Sequence, residues 1–424
     1  MLNIKMPEGV TSKVLGFASN LSDKNLLRIV NTLGKLTSIE WHDKGVRALQ
    51  RLIEENHSGI DAAKRAIKMM NPTVRAKLVN NFLLGGILSG YKKRYAFWEK
   101  YGVAPPGNLM VSPTIKCNLR CYGCYAGTHQ ISADLSRAEV EELIVEAGKA
   151  GTNIITFLGG EPFTMPWLLD VVEKFPDTGF QIFSNSLLLD DEKIARLAQA
   201  GNAIIVIGLD GPKEFTDGRK GEGAFEGALA NMKKLSDAGV LVGYSTMVSR
   251  KNFDHIYADE FIDTMIDHGA AFGWCAIAIP QGKACKDLQL VPTPEQKAMI
   301  SEKVRNVRAR KPLIIIDFYS DANITEGCGA GRVTIHVNNN GDVEPCVFFP
   351  FSVDNIRQKP FLDILKSDFF KSIRKIPKDY AGNVQTCMMA AQPKAVLKII
   401  EDHNARETSA GTLEQLHALA EKQQ

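Results

Sequence analysis

Cys117, Cys121 and Cys124 place three thiols within eight residues, in the loop Cys117-Asn118-Leu119-Arg120-Cys121-Tyr122-Gly123-Cys124. Three soft ligands on one tight loop can hold three irons of a cubane cluster and leave the fourth open to an outside ligand. A zinc site short of one ligand, or buried structural thiols, would use the same residue types, so spacing alone leaves those alternatives standing. The other five cysteines, Cys275, Cys285, Cys328, Cys346 and Cys387, are scattered. That placement suits metal ligation in a reducing cytoplasm better than a secreted disulfide framework. Cys275 and Cys285 read as core or loop thiols, with Cys275 also able to line a cavity.

The elements that must position this loop come from hydrophobic periodicity. Short apolar runs at about 108–115, 153–158, 179–184, 203–209, 240–247 and 272–279 alternate with amphipathic stretches near 136–150, 165–175, 190–200, 223–238 and 253–268. Six strand–helix units imply an α/β fold on a parallel sheet with right-handed crossovers, either doubly wound or a full or partial barrel. Ligands then belong at the C-terminal strand ends. The cysteine loop follows the first run, Gly159-Gly160-Glu161-Pro162 the second, Ser184-Asn185 the third, and Asp210-Gly211-Pro212 the fourth. A helix at about 293–310 leads to an apolar run, Leu313–Ile316, and then to a hairpin, Val333–Val337 with Asp342–Cys346, turned by Asn340-Gly341 and read as a different module. Before Tyr101 the pattern is helical, punctuated by turn signals at Asn71-Pro72 and Gly85-Gly86. The division expected is 1–105 helical and basic, 106–312 the barrel core, 313–391 a C-terminal module and 392–424 a helical tail.

The motifs together resemble the radical S-adenosylmethionine (AdoMet) superfamily, whose hallmark is the C-x3-C-x2-C loop with an aromatic residue at the position of Tyr122. The resemblance is strong and spans about 108–282. It implies a partial (β/α)6 TIM-like barrel and a [4Fe–4S] cluster on Cys117, Cys121 and Cys124 that chelates AdoMet. One electron would then yield a 5′-deoxyadenosyl radical that abstracts hydrogen from substrate, so that the protein's task is placement. A donor such as ferredoxin or flavodoxin is implied. The resemblance further implies that Gly159, Gly160, Glu161 and Pro162 meet the methionine ammonium, that Ser184 and Asn185 meet ribose or carboxylate, and that Asp210 binds ligand or orients its loop. Gly208 stands where relatives carry serine, which removes any hydroxyl contact there.

Cys328-Gly329-Ala330-Gly331, followed by Gly341-Asp342-Val343-Glu344-Pro345-Cys346, is similar to the signature of SPASM or shortened, twitch-like domains. The similarity implies one auxiliary [4Fe–4S] cluster on Cys328, Cys346 and Cys387, because three cysteines fall short of the seven or so that two clusters use. The fourth ligand is open or a non-cysteine group; His336 and Glu344 share the Cys346 face by strand alternation.

Formal charge is +3 overall, but residues 1–100 hold 17 Lys+Arg against 8 Asp+Glu. Between Lys64 and Lys100 nine basic residues and a single acidic one, Glu99, interleave with Phe82, Leu84, Tyr91, Tyr95 and Trp98. Such a segment either anchors on an anionic membrane or docks on the barrel with a solvated basic rim. No helix-turn-helix or strand platform accompanies the charge, so nucleic acid is not expected. With no apolar run of spanning length, the location expected is cytoplasmic, peripheral on the inner membrane face if the front anchors. A lipid or small hydrophobic metabolite is the substrate class expected first. A peptide is the alternative, weakened by a front end without strands, and a non-enzymatic iron–sulfur or zinc scaffold is the third.

Overall fold

In the computed structural model the described residues are 57–129, 133–279, 281–283, 288–317, 327–376 and 387–421, preceded by 13, 16, 17, 19–34, 47 and 50–55. Six apolar runs become β1 (Asn108–Val111), β2 (Ile154–Phe157), β3 (Gly179–Ser184), β4 (Ala203–Gly208), β5 (Val242–Val248) and β6 (Phe272–Ile277). All pair parallel in sequence order. Helices Arg137–Lys149, Leu168–Lys174, Asp191–Ala200, Ala224–Asp237 and Asp259–Asp267 connect them. Strand alternation divides β4 cleanly: Ile205 and Ile207 join the main core under the helices, whereas Ile204 and Val206 face the other way.

The fold is α/β on a parallel sheet, as the periodicity implies, and of its alternatives the partial TIM-like barrel expected from the resemblance, but its sheet is larger than six strands. Leu313–Ile316, assigned from sequence to the C-terminal module, contributes to β7 (Ile314–Asp317), which pairs parallel with β6. The hairpin, β8 (Thr334–Val337) and β9 (Val343–Glu344), does not stand apart either: β8 pairs parallel with β1. The result is one nine-stranded sheet in the order β7-β6-β5-β4-β3-β2-β1-β8-β9. An open sheet edge carries unpaired backbone donors and acceptors, and β8 satisfies those of β1. Beyond it a small ribbon, β10 (Phe351–Ser352) with β11 (Arg406–Glu407), and short helices complete the C-terminal part.

Two further departures are local. A helix not expected from periodicity, Lys213–Lys220, follows β4; its sequence KEFTDGRK has too few apolar residues to show a stripe. The helix expected at 253–268 is confined to Asp259–Asp267.

The N-terminal helices close the barrel's inner face. Met70, Val74 and Leu78 pack against Ile204, Val206 and Phe272 from within the sheet. Asn71-Pro72 is a helix start, with the Asn71 side chain accepting from Val74 N at 2.9 Å and proline in the first turn. Gly85-Gly86 is not a turn. It lies in a π-helical stretch, Val79–Ser89, where a Cβ on Gly86 would meet Ile154 Cδ1 at 2.9 Å, so glycine permits the close approach to β2. The next helix, Gly90–Tyr101, leaves Tyr91, Tyr95 and Trp98 exposed. Among the described residues no helix is long and apolar enough to cross a membrane.

Candidate active site

The cysteine loop hangs from the end of β1 and is held by backbone bonds to the Gly-Gly-Glu-Pro turn. Gly160 N donates to Thr114 O at 2.9 Å and Glu161 N to Lys116 O at 2.8 Å. Chain and turn lie so close that a Cβ on Gly160 would stand 2.5 Å from Ile115 O, and Gly159 needs φ +112°. Both glycines are therefore dictated by the loop they support. Pro162 opens a short 3-10 turn, Pro162–Thr164, that Glu161 caps by accepting from Phe163 N.

Glu161 is 1% exposed, and its carboxylate turns into the protein. It accepts from Ser184 Oγ (2.8 Å) and Asn185 N (2.8 Å), so the ends of β2 and β3 are tied together. Burial pushes its carboxyl up, opposed by these hydrogen bonds. Asn185 continues the chain outward: its Nδ2 donates to Asn118 Oδ1 at 2.8 Å and lies 3.9 Å from Cys117 Sγ. Next to it Ser186 is a buried non-glycine residue at φ +67°, a local strain that sequence reasoning could not see.

The opposite side of the loop is held from β4. Asp210, 3% exposed, pairs with Arg219 at 2.7 Å and lies 3.5 Å from Lys220. Its other oxygen accepts from Met247 N at 3.1 Å. Arg219 in turn clasps Tyr122, donating from Nε to Tyr122 O (3.1 Å) and accepting from Tyr122 N at its own carbonyl (2.9 Å). Tyr122 itself is 50% exposed. Of the two roles implied for Asp210, the contacts are those of loop orientation. The glycine at 208 has a physical reason as well. Lys220 Nζ donates to Gly208 O, and a Cβ there would stand 2.6 Å from that nitrogen.

The donor chemistry fits a cluster. Burial pushes the Cys117 and Cys121 thiols up, while Leu119 N, 3.4 Å from Cys117 Sγ, and the Arg219 and Lys220 cations beside Cys121 favour thiolate. Among the described residues no three Cys, His, Asp or Glu side chains converge on a single ion. Cluster cysteines have no need to do so, since each binds a different iron.

The second thiol group assembles from three distant segments. Cys328, Cys346 and Cys387 line one wall of a cavity of about 650 Å³. Burial, then the neighbouring Cys328 thiol, pushes both Cys346 and Cys387 up to about 12. The Cys328-Gly329-Ala330-Gly331 turn is fixed by Arg374, whose guanidinium donates to Gly331 O (2.7 Å), Leu365 O (3.0 Å) and Ala104 O (3.4 Å). Burial lowers Arg374 to about 10. No motif pointed to this residue.

His336 and Glu344 are paired across β8 and β9 and bond to each other at 2.6 Å. His336 Nε2 also meets Ser112 Oγ at 2.7 Å, and Glu344 accepts from Asn338 and Thr408. Both side chains are thus committed to a buried network at the end of β1. Cys275 on β6 is buried in the core and also borders the cavity; Cys285 lies outside the described residues.

Known proteins share these features. Residues 111–263 match the radical SAM superfamily and residues 328–389 an iron–sulfur cluster-binding domain, SPASM. An AdoMet-dependent heme synthase of Oleidesulfovibrio alaskensis is 26% identical over 306 residues, 65% of this chain and 78% of that protein. The sporulation killing factor maturation protein SkfB of Bacillus subtilis is 26% identical over 267 residues, 61% of this chain and 64% of that one. The crystal structure of Streptococcus suis SuiB bound to its precursor peptide SuiA superposes with a TM-score of 0.56 at 18% identity, over 67% of this chain and 70% of that one. SuiB has also been solved with S-adenosylmethionine.

The chain belongs to the radical SAM superfamily, in the group whose barrel is followed by a SPASM-type iron–sulfur domain. It is a radical SAM enzyme, with [4Fe–4S] clusters and AdoMet as its cofactors, which sets the non-enzymatic scaffold aside.

Proposed function

We propose that this enzyme modifies an unactivated carbon of a peptide side chain seated in the cavity beside Cys328, Cys346 and Cys387. The observation that carries the reading is the position of that cavity. Its wall residue Phe348 meets Tyr125 edge to face, ring centroids 5.7 Å apart, next to Cys124, so the cavity lies against the first cysteine loop. SkfB and SuiB, by their names a maturation protein and a protein that binds a precursor peptide, favour the peptide class. The lipid expected first from the basic front has no counterpart among the relatives named above. A small hydrophobic metabolite is the second reading, favoured because no strand precedes Asn108 among the described residues.

Cys117, Cys121 and Cys124 would hold the AdoMet cluster, and Cys328, Cys346 and Cys387 the auxiliary one. When bound, the first cluster supplies the electron that cleaves AdoMet to a 5′-deoxyadenosyl radical. The chain's own residues fix the geometry. Glu161 holds Ser184 and Asn185 in place, Asn185 holds Asn118, and Arg219 on Asp210 holds Tyr122. The apolar cavity wall would limit the water around a reactive intermediate once substrate fills it. The basic front would meet an anionic membrane through Tyr91, Tyr95 and Trp98, which are 39%, 46% and 47% exposed beside Lys92, Lys93 and Lys100. Salt-sensitive sedimentation with anionic liposomes tests that contact.

Substrate class is tested with reduced, reconstituted protein, AdoMet, and separate peptide and small-molecule fractions of perdeuterated cells. Deuterium in 5′-deoxyadenosine from the peptide fraction supports the proposal. Deuterium from the small-molecule fraction alone replaces it with the second reading.

A further inference from the structure

The lining of the 650 Å³ cavity is apolar over Met110, Ile277, Val347, Phe349, Met388 and Leu416. Against that background its few polar groups stand out. Gln281 is 2% exposed, and neither its amide nitrogen nor its oxygen has a hydrogen-bond partner among the described residues. A buried amide left unsatisfied keeps the full penalty of losing its water, so a fold gains nothing from it unless something else completes it. The charged lining residues, among those described, are Arg250, Lys297 and Asp317. Asp317 has a partner of its own. Arg250, exposed at the cavity rim, donates from Nε to Val291 O at 3.3 Å and has no ion pair among the described residues. Lys297 projects from the helix Pro294–Arg310, is half-buried, and has no ion pair among the described residues. Burial lowers its ammonium with nothing opposing.

Gln281 also lies where substrate placement matters. Two residues on, Lys283 N donates to Cys124 O at 3.1 Å, and a Cβ on the intervening Gly282 would stand 2.7 Å from the same carbonyl. The segment carrying the orphan amide is therefore fastened to the first cysteine loop. A group hydrogen-bonded to Gln281 would be held next to that loop.

We infer that the cavity selects a ligand combining an apolar body with a carboxylate, the carboxylate paired with Lys297 and Arg250 and a carbonyl or carboxyl oxygen read by Gln281. The ligand class deepens the substrate reading above and rests on it only in identifying the cavity as the substrate's. The carboxylate could belong to an acidic residue of a peptide or to a free acid; the chemistry recognised is the same.

The test uses anaerobically reconstituted full-length protein and calorimetric titration with three probes: 1-pyrenebutanoate, its neutral alcohol 1-pyrenebutanol, and a blocked peptide carrying pyrenylalanine beside one glutamate. At least one carboxylate probe should bind tenfold or more tightly than the alcohol. Lys297→Met should cut that preference several-fold, and Lys297→Met with Arg250→Met should abolish it, while binding of the alcohol is unchanged. Gln281→Leu should weaken the carboxylate probes several-fold and raise the melting temperature, because the empty protein no longer carries an unsatisfied amide. The tighter of the two carboxylate probes identifies the source. Equal affinity for acid and alcohol, an unaltered preference in Lys297→Met, or a lowered melting temperature in Gln281→Leu overturns the inference. Formation of 5′-deoxyadenosine is followed in the same preparations. Its absence with the carboxylate preference intact counts against the proposed reaction alone, and the converse against the cavity assignment alone.

Discussion

Replacing Asp210 by Asn should cost more than replacing its partner Arg219 by Met. Asp210 is 4% exposed at its side chain, Arg219 19% and Lys220 8%, so one carboxylate serves two largely buried cations at 2.7 and 3.5 Å. Burial pushes the Asp210 carboxyl up, but Arg219 and Lys220 more than offset it and hold it below the usual carboxylate range. Removing one member of a buried pair leaves an uncompensated charge and costs on the order of 3–5 kcal/mol. Asp210→Asn strands both cations and should fall at the top of that range. In Arg219→Met the carboxylate keeps Lys220, so the loss should be nearer 2 kcal/mol by the same reasoning. Urea unfolding of reconstituted protein, followed by circular dichroism and by cluster absorbance, gives both values. Hydrogen exchange at Tyr122 N should accelerate in each variant, since both loosen the segment that accepts its bond. Equal costs, or a larger loss in Arg219→Met, would refute the reasoning that Asp210 is the shared anchor.

Other expectations follow from single contacts. Glu139, held to about 2 by hydrogen bonds from Arg357 and Ser136 that outweigh burial, joins the helix Arg137–Lys149 to the C-terminal part. Because the folded pKa is depressed, its contribution is present above about pH 4.5 and fades as pH falls toward 2; Glu139→Gln should lose on the order of 1–3 kcal/mol at pH 7 and flatten that acid limb of a melting-temperature profile. Gly160→Ala should prevent the cysteine loop from seating, read as loss of cluster absorbance. Gly208→Ser must push the buried Lys220 ammonium off Gly208 O and away from Asp210, and should cost about 1–3 kcal/mol. Arg374→Met strands three carbonyls and should lower iron content from about eight toward four per chain while sparing the first cluster.

What the sequence makes legible is whatever repeats or follows a simple period. The parallel strands announce themselves through apolar runs, and the cysteine loop and the Gly-Gly-Glu-Pro turn through spacing. The attachment of β8 to β1 carries no such signal, because edge pairing depends on which backbone groups remain free after the barrel forms. Arg374 and Gln281 were invisible for a related reason: each matters through partners, or their absence, far away in the chain. The glutamate of the Gly-Gly-Glu-Pro turn is found at the strand end anticipated, but its carboxylate organises Ser184 and Asn185, which only the side-chain direction reveals.

The most direct test of the central claim is 5′-deoxyadenosine formation from AdoMet by the reduced, reconstituted protein, compared with a Cys117/Cys121/Cys124→Ala triple variant and a Cys328/Cys346→Ala double variant. The parent and the double variant should both cleave AdoMet, the latter with about half the iron, since only the first loop would hold the AdoMet cluster. The triple variant should form none. Reductive cleavage that persists in the triple variant, or disappears in the double variant while the first cluster remains intact, would contradict the assignment of the two thiol groups.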